Sequence, residues 1–513
     1  MWHRLQSLAI VFSIVVVTSS GCSGTRRTAG DPIGVTACQP VIAQNRQPSN
    51  SESPDNGFST VKLAVDDFSE DAGAITLTAA DNADDPESPP DEPSSPPIPD
   101  LYADFGSGAA AWTLESLEAT ALQNNPAIAQ ASASAYKAMG FREQVGLLPN
   151  PTVGYNGTQL ADQGTDQHVA FVEQDIVTAR KLNRNRTVLS QEVQSQLWQV
   201  ETQRFRVQTD VRQRFYTALA AQRRLELATA FREIAKKGVD IAQDRVDAGE
   251  GAVPDVLQAE ILLNQVEIQM RQADAEFRGA WNQLLAVVGL PVGNPGRLDG
   301  ILPDRVAIND TESVTREALT ASPELQAARA RVARARANVN RQEVQPIPNF
   351  AFLLAAGVDN GTNSGMINAQ LGLPLPIYNR NQGNISAAHA ELTRACQDLR
   401  RIELSIESRM AGAVKEYESA AAAVNKYRDS ILPKAERTLK LGQEAYEAGE
   451  YGFLQILVAR KTYFESNLEF VLAQADLARA EAYLRGLALS GGLDDTPDTT
   501  MDAGLRDQAL SGQ

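Results

Sequence analysis

The sequence is poor in cysteine, histidine and aromatic residues, and each shortage excludes a class of protein. The three cysteines, Cys22, Cys38 and Cys396, are too few and too scattered for a disulfide framework or a zinc site. The three histidines lie far apart in sequence and the six methionines are scattered, so no metal site is predicted. Alanine, glutamine, glutamate and arginine are abundant instead, a composition typical of long helices.

Acidic residues outnumber basic ones by 64 to 47, and long apolar runs are scarce. The net charge of −17 argues against nucleic acid as a partner and against simple adhesion to anionic lipid. Beyond the N-terminus no uninterrupted apolar run of about 20 residues occurs, so we expect no helix to span a membrane. Sequence motifs for phosphate loops, serine nucleophiles and zinc helices are missing too. We therefore predict no catalytic residue, no cofactor and no metal ligand, hence no enzyme.

The N-terminal residues 1–21 predict an export signal. Arg4 supplies the positive start, residues 8–17 the apolar stretch and residues 19–21 the small residues before cleavage. Cys22 follows directly, which resembles a bacterial lipoprotein site where the cysteine becomes lipidated. An ordinary secretory signal is the alternative, because a serine replaces the usual leucine three positions earlier. Either signal takes the mature chain out of the cytoplasm.

Two segments are expected to stay disordered. Residues 23–110 are rich in proline, serine, aspartate and glutamate and have few large apolar side chains. Such a segment cannot bury enough apolar surface to offset its ordering entropy. The tail at 494–513 has a similar composition. Between them, residues 111–300 and 301–493 are two copies of one structural unit.

The duplication is most visible at a helical hairpin. Residues 245–260 read RVDAGEGAVPDVLQAE, and residues 445–460 read AYEAGEYGFLQILVAR. Gly249 and Gly449, 200 residues apart, lie where a helix ends, a position that favours the left-handed conformation of glycine. Pro254 falls at the start of the first returning helix, where no N–H is needed.

Each repeat has the same predicted order of elements. A helix of about 34 residues begins at Thr113 and again near Thr311. Two short strands follow, then a helix of about 65–70 residues that Pro433 is expected to bend in the second repeat, then a returning helix of about 35. The strands are predicted around 153–155, 169–171, 350–358 and 367–373, the long helices at 180–248 and 384–448, and the returning helices at 254–288 and 453–488.

The strands alternate between apolar and polar residues, which suits a membrane barrel or an amphipathic hairpin on a soluble domain. Two short helices end to end match one long helix, so each repeat can form two columns about 100 Å high. Four strands cannot close a barrel, since the smallest need about eight, and lipid does not tolerate open edges. If the strands enter a membrane, several chains must share one barrel.

Six short motifs occur in a defined order along the two repeats. The motifs are NP at 125–126, LPNP at 148–151, EQDI at 173–176, LPLPIY at 373–378, NRNQG at 379–383 and LPKAE at 432–436. In this order, with the hairpin glycines, they resemble the TolC family of outer-membrane factors, and within it the CzcC-like heavy-metal efflux branch.

The resemblance implies a mainly α fold with a small β part. Each of two tandem repeats would contain coiled-coil-like helices and two strands. It implies a homotrimer with an α-barrel tunnel in the periplasm and a shared 12-stranded β-barrel in the lipid of the outer membrane. A passive duct of this kind would export small solutes, such as heavy-metal cations or drugs. Its partners would be a periplasmic adaptor and an inner-membrane pump such as an RND transporter. The rival hypotheses are a lipid-tethered periplasmic coiled-coil protein and a duct for protein secretion.

The hairpin tips are the predicted docking site for the adaptor. Apolar groups at an exposed tip suit end-on docking, and packing between neighbouring helices is the alternative. The residues at the two tips are Gly249, Glu250, Val253, Asp255, Gly449, Glu450, Phe453 and Leu454.

Two further sets of residues are predicted from the resemblance and the strand positions. Related proteins often narrow the tunnel mouth with aspartates on the second returning helix, where this chain has Gln455 and Val458. Glu250 and Asp255 of the first tip are the candidates that supply charge to the mouth instead. A second set of basic residues follows the strands and marks a candidate periplasmic lipid interface, with simple solvation as the alternative. These are Arg180, Lys181 and Arg380.

Overall fold

The structure is a computed structural model, and its described residues belong to one unit, Asp91–Gln513. It describes residues 112–161, 164–249, 251–308, 310–448 and 450–495, without the side chains at 447, 453 and 454. Several predictions fall outside the described residues: the signal at 1–21, Cys22, the linker at 23–110, most of the tail at 494–513, Glu250 and Gly449.

The same series of helices and strands occurs twice. The first series is β1 (Trp112–Thr113), α1 (Leu114–Asn124), α2 (Pro126–Gln144), β2 (Thr152–Thr158), β3 (Gln167–Ile176), α3 (Lys181–Asp247), α4 (Val253–Val288) and the short β4 (Leu298–Asp299). The second is α5 (Thr311–Ala321), α6 (Pro323–Gln342), β5 (Phe350–Asp359), β6 (Ser364–Gly372), α7 (Gln382–Lys426), α8 (Leu432–Glu447) and α9 (Phe453–Arg485).

The prediction of one helix of about 34 residues from Thr113 is wrong, because the helix breaks at Asn125. Asn125 precedes Pro126, whose ring disfavours helical backbone in the residue before it. Its extended backbone makes it the N-cap of α2, and its side-chain oxygen accepts from the N–H of Ala127 at 2.9 Å. Its amide nitrogen donates to the carbonyl of Val287 at 2.8 Å, so the break also joins α2 to the end of α4.

The second repeat breaks in the same way, so the single helix predicted from Thr311 is also wrong. Ser322 precedes Pro323 and has ψ 122°, which separates α5 from α6. In both repeats the proline begins the second helix, where a missing N–H costs nothing.

The long helices follow the prediction more closely. α3 is continuous over 67 residues, a length of about 100 Å. Its counterpart is interrupted by a π-helical turn, Tyr427–Ile431, just before Pro433. Proline has no N–H and collides with the carbonyl four residues earlier, and the wider π turn accommodates both effects. We expected Pro433 to bend the helix, and the structure has this π-helical turn directly before it.

The core follows the length of α3 in separate clusters. Towards the strands α3 packs against α2 and α6, and towards the hairpin it packs against α4 and α9. Phe215 and Trp281 lie in the middle cluster, each 2% exposed. Nearer the hairpins, the rings of Phe231 and Phe464 stack with centroids 4.1 Å apart and join the two repeats.

The segment after α9 is fixed on α3 by two polar side chains. The Asp210 carboxylate accepts from the N–H groups of Gly491 and Gly492, at 3.2 and 2.7 Å. Gln203 donates to the carbonyl of Gly492 at 2.9 Å. Burial raises the pKa of Asp210 above its ordinary value, although the two N–H groups oppose this shift.

Candidate functional site

The four long strands form one antiparallel sheet in the order β2-β3-β5-β6, so each repeat contributes a hairpin. The hairpins meet where β3 pairs with β5, with Val169 opposite Gly357. A Cβ at Gly357 would lie 1.8 Å from the carbonyl oxygen of His168, so glycine is required for this close approach. Within the described residues, β2 and β6 are edge strands with one unpaired side each.

The register sorts the strand residues onto two faces of different polarity. Val172 lies opposite both Val153 and Leu354, so these three side chains share a face. What we call the apolar face includes Val153, Tyr155, Val172, Ile176, Phe352, Leu354, Val358, Ile367 and Leu371. What we call the polar face includes Thr152, Asn156, Thr158, Glu173, Asp175, Asn368 and Gln370.

Exposure shows which face is concave. Val169 and Ala355 point to the polar side and are only 9% and 3% exposed. Val153 and Ile367 on the apolar face are 74% and 78% exposed. The sheet therefore curves with its polar face inward, as in a membrane barrel with an apolar outer surface and a hydrated bore.

The strands carry few charges, and those on the polar face are all acidic. Glu173, Asp175 and Asp359 lie on this face, while His168 lies on the apolar face. None of the four described strands contains lysine or arginine. The concave surface therefore has a negative potential.

A polar network ties the two hairpin turns together at the end of the sheet away from the helices. The Asp166 carboxylate contacts Nε2 of His168 at 2.6 Å and accepts from the side-chain amide of Asn360 at 2.8 Å. The hydroxyl of Tyr155 contacts the other ring nitrogen of His168. The hydrogen bond with His168 is the main reason that the pKa of Asp166 is lowered. Sequence reasoning missed this network, because it depends on strand pairing between the repeats.

At the opposite end, Lys181 is not the exposed residue that we expected. Its side chain is 6% exposed, and its ammonium donates to the carbonyl of Ile347 at 2.5 Å and to Asn349 at 3.0 Å. Burial lowers the pKa of Lys181. The side chain thus joins the start of α3 to the proline turn of the second repeat and does not reach lipid.

Arg180 and Arg380 are exposed, so their assignment to a lipid interface stays a prediction. Arg180 has a left-handed backbone, φ 54°, at the residue before α3. Asn381 has the same conformation, φ 60°, before α7 and donates to the carbonyl of Gln342 at 2.8 Å. The two repeats therefore enter their long helices through equivalent turns.

At the first hairpin tip, Gly249 has the predicted left-handed backbone, φ 76°, and its N–H donates to the carbonyl of Val246 at 3.0 Å. At the second tip the N–H of Glu450 donates to the carbonyl of Ala445 at 2.9 Å. The bond at Gly249 belongs to a glycine-terminated helix end. Val253 is 59% exposed and Asp255 is half-buried.

The two predicted mouth residues of the second tip, Gln455 and Val458, differ in their contacts. The side-chain oxygen of Gln455 accepts from the N–H of Gly452 at 2.5 Å and so caps α9. Val458 is 56% exposed. Sequence reasoning missed a contact between the tips, in which Arg245 donates to the hydroxyl of Tyr446 at 2.8 Å. The role of Gln455, Val458 and Asp255 at a tunnel mouth stays a prediction.

None of the described helices is long and apolar enough to cross a membrane. No three histidine, cysteine, aspartate or glutamate side chains in the described part of the chain lie close enough together to hold a metal ion.

A curved sheet with an apolar outer face, carried on a helical body whose longest helix, α3, is about 100 Å long, is the architecture of a channel protein of the cell envelope. The chain belongs to the outer membrane efflux protein family, whose two matches cover residues 117–290 and 314–488. The predictions of family, of a mainly α fold with a small β part, and of an outer-membrane location with a periplasmic tunnel are confirmed.

Known proteins resemble the chain over most of its length. The cobalt-zinc-cadmium resistance protein CzcC of Cupriavidus metallidurans is 25% identical over 361 residues, covering 70% of this chain and 85% of that protein. The crystal structure of CusC has a TM-score of 0.62 at 16% identity and covers 75% of this chain and 96% of that one. The outer membrane protein VceC from Vibrio cholerae has a TM-score of 0.59 at 19% identity, covering 74% and 96%.

Proposed function

We propose that three copies of this chain form a passive duct through the outer membrane. The observation that carries the proposal is the sheet, with its apolar convex face, its polar concave face and its two free edges. Open edges in lipid leave backbone groups without hydrogen bonds. Pairing β6 of one copy with β2 of the next removes every edge and closes a barrel of 12 strands, above the minimum of about eight.

The duct is one part of a three-part exporter. A periplasmic adaptor docks at the hairpin tips, and an inner-membrane pump such as an RND transporter supplies the energy. Exposed Val253 at the first tip supports docking there, since an exposed apolar side chain is a good contact for a partner. Arg180 and Arg380 face the periplasmic side of the lipid, and a lipidated Cys22 adds an anchor. The bore conducts solutes and catalyses nothing.

The cargo that we propose is small cations, including divalent metal ions. The acidic residues on the polar face of the sheet, with no basic residue in the strands, favour cations over anions in the bore. The name of the CzcC relative, a cobalt-zinc-cadmium resistance protein, points to the same class of cargo.

Two measurements test this function. The mass of the detergent-extracted protein should be that of three chains, and a monomer that needs no detergent would contradict the duct. Cells that lack the protein should accumulate cobalt, zinc or cadmium. If these cells accumulate only organic drugs, the proposed cargo is wrong but the duct stands. If they retain only a protein that wild-type cells export, a duct for protein secretion is favoured.

A further inference from the structure

Cys396 on α7 is half-buried and disulfide-bonded. It is the one cysteine among the residues that the structure describes, and the chain has two others, Cys22 and Cys38. The partner of Cys396 is therefore one of these two, and both precede Trp112, where β1 begins. The bond thus joins the N-terminal segment of the chain to the second repeat.

We propose that the partner is Cys38 and that the bond ties the lipid-anchored end of the chain to α7. This inference rests on one part of the proposed function, the lipid on Cys22. A lipid of this type is attached to the cysteine sulfur through a thioether, so a lipidated Cys22 has no thiol left to oxidise. Cys38 is then the remaining thiol of the chain that can pair with Cys396.

Cys396 lies at the border between the packed and the exposed sides of α7. The residues about one helical turn before and after it, Thr393 and Arg400, are exposed. Its neighbour Ala395 points inward and is only 7% exposed. A segment of chain that runs along the exposed side of α7 can therefore reach the sulfur of Cys396.

The chain between the lipid and Cys38 is long enough for this bond. Cys396 comes 14 residues after Gln382, which places it about 21 Å from the strand end of α7. The 16 residues from Cys22 to Cys38 span up to about 50 Å when extended. A lipid anchor at the membrane surface beside the strands therefore allows Cys38 to lie level with Cys396.

The chain on the other side of Cys38 is also long enough. Trp112 packs against the middle core cluster, with its ring 6.3 Å from that of Trp281. The 73 residues at 39–111 span up to about 240 Å when extended, more than twice the length of α3. The bond at Cys396 therefore leaves the packing of Trp112 undisturbed.

The sequence around Cys38 suits contact with the helices. Residues 32–44 contain no charged side chain, whereas the acidic pairs of the linker come later in the sequence. The branched apolar residues of this stretch are Ile33, Val35, Val41 and Ile42. They can bury apolar surface against α7, where Leu404, about two turns beyond Cys396, is 48% exposed.

The bond forms by oxidation of two thiols in the cell envelope, an oxidising compartment. The oxidant is an oxidoreductase of that compartment that carries a disulfide. A thiolate of this chain attacks that disulfide to form a mixed disulfide, and the second cysteine of the chain then displaces the oxidoreductase thiol. Two electrons and two protons pass from Cys38 and Cys396 to the oxidoreductase, which leaves as a dithiol, and a new S–S bond remains.

Peptide mapping without reduction tests the pairing. The full-length protein is taken from the membranes of the cells that make it, with free thiols blocked by N-ethylmaleimide at lysis. Trypsin leaves Cys38 in the peptide 28–46 and Cys396 in the peptide 395–400. We expect these two peptides to be joined in the wild-type protein and to separate on reduction.

A linker variant gives a second measurement that does not put folding of the helices at risk. In Cys38→Ser, N-ethylmaleimide should label Cys396 severalfold more than in the wild-type protein. The matched control, Thr36→Ala, keeps both cysteines and should leave the labelling unchanged.

A cut in the linker tests the tie between the lipid and α7. Lys62 is the one lysine before Trp112, so limited digestion with a lysine-specific protease can separate the N-terminal fragment from the rest of the chain. Without reductant, the fragment that carries labelled fatty acid should stay with the rest of the chain on a denaturing gel. Reductant, or Cys396→Ala, should release it.

Other outcomes would overturn this inference. A bond from Cys396 to the peptide that carries Cys22 would exclude both the proposed pairing and the lipid on Cys22, while the duct stands. An unpaired Cys396 in the wild-type protein would also overturn the pairing. Covalent dimers or trimers without reductant would place the bond between copies. A protein with the mass of a monomer would overturn the duct but leave the bond between Cys38 and Cys396.

Discussion

The guanidinium of Arg245 donates a hydrogen bond to the Tyr446 hydroxyl at 2.8 Å and lies 5.8 Å from the centre of that ring. Arg245 is in the last turn of α3, and Tyr446 is in the last turn of α8. The contact therefore joins the hairpins of the two repeats near their tips. At the proposed mouth, it limits how far the second hairpin can move from the first.

Removing the Arg245 side chain should loosen the tips. Arg245→Ala loses a hydrogen bond and a cation–π contact, together worth on the order of 1–2 kcal/mol. We expect faster amide hydrogen exchange in the last two turns of α3 and α8. Tyr446→Phe is the matched control, because it keeps the ring and loses only the hydroxyl, and its effect should be smaller. Exchange at wild-type rates in both variants would show that the contact does not hold the tips.

Asp210 should make stability depend on pH. Because burial raises its folded-state pKa above the ordinary 3.8, the folded protein holds this proton more tightly than the unfolded chain. Its contribution is therefore greatest in acid and is lost as the pH rises from about 3.8 through the raised pKa. Asp210→Asn keeps an acceptor for Gly492 without the charge. The free energy of unfolding of this variant, relative to wild type, should therefore increase between pH 4 and 7 by roughly the stability that Asp210 loses over that range. Melting temperatures of both proteins, measured across this pH range, follow the difference.

The exposed Asp244→Asn variant is the charge-matched control for Asp210. It changes the net charge of α3 equally but makes no contact with the segment after α9. If Asp210→Asn is no more stable at neutral pH than this control, the half-buried carboxylate of Asp210 is not the cause of the pH dependence.

Tyr417 should stabilise the second core cluster through its hydroxyl. The side chain is 2% exposed, and its hydroxyl accepts from the N–H of Ile308 at 2.8 Å. Tyr417→Phe leaves that N–H without this partner, which should lower the free energy of unfolding by about 1 kcal/mol. Tyr451→Phe, at a site 48% exposed, is the control and should change it little in a urea titration. Equal effects in both variants would contradict this assignment.

Leu353 and Leu354 offer a direct test of the two sheet faces. They are neighbours on β5, but Leu354 is on the apolar face and Leu353 on the polar face. Leu354→Lys should cost about 2–4 kcal/mol if the residue faces lipid near the bilayer centre. Leu353→Lys should be tolerated in the hydrated bore. Recovery of each variant in outer-membrane fractions measures the difference, and equal recovery would contradict a lipid-facing apolar face.

Local rules were enough to predict much of this fold from sequence. The two-residue alternation located the strands, and the Gly249 turn and Pro254 located the first hairpin, because these features depend on neighbouring residues. The continuous length of α3 followed from its uninterrupted apolar spacing. The division of the sheet into one apolar and one polar face was also predictable from this alternation.

The missed features depend on contacts between distant parts of the chain. Asn125 breaks a helix and bonds Val287, 162 residues away, a partner that no local pattern identifies. The burial of Lys181 depends on the turn at Ile347, 166 residues further along. The Arg245–Tyr446 pair joins positions 201 residues apart, and only the doubling of the repeat hinted that these two helix ends meet.

Ion current through a planar lipid bilayer tests the central claim most directly. Purified full-length protein, without adaptor, pump or nucleotide, should insert and produce stepwise currents carried mainly by cations. The Arg245→Ala variant should give larger steps if its loosened tips widen the mouth. If both the wild-type protein and Arg245→Ala insert into the bilayer but pass no current, the protein is not a passive duct.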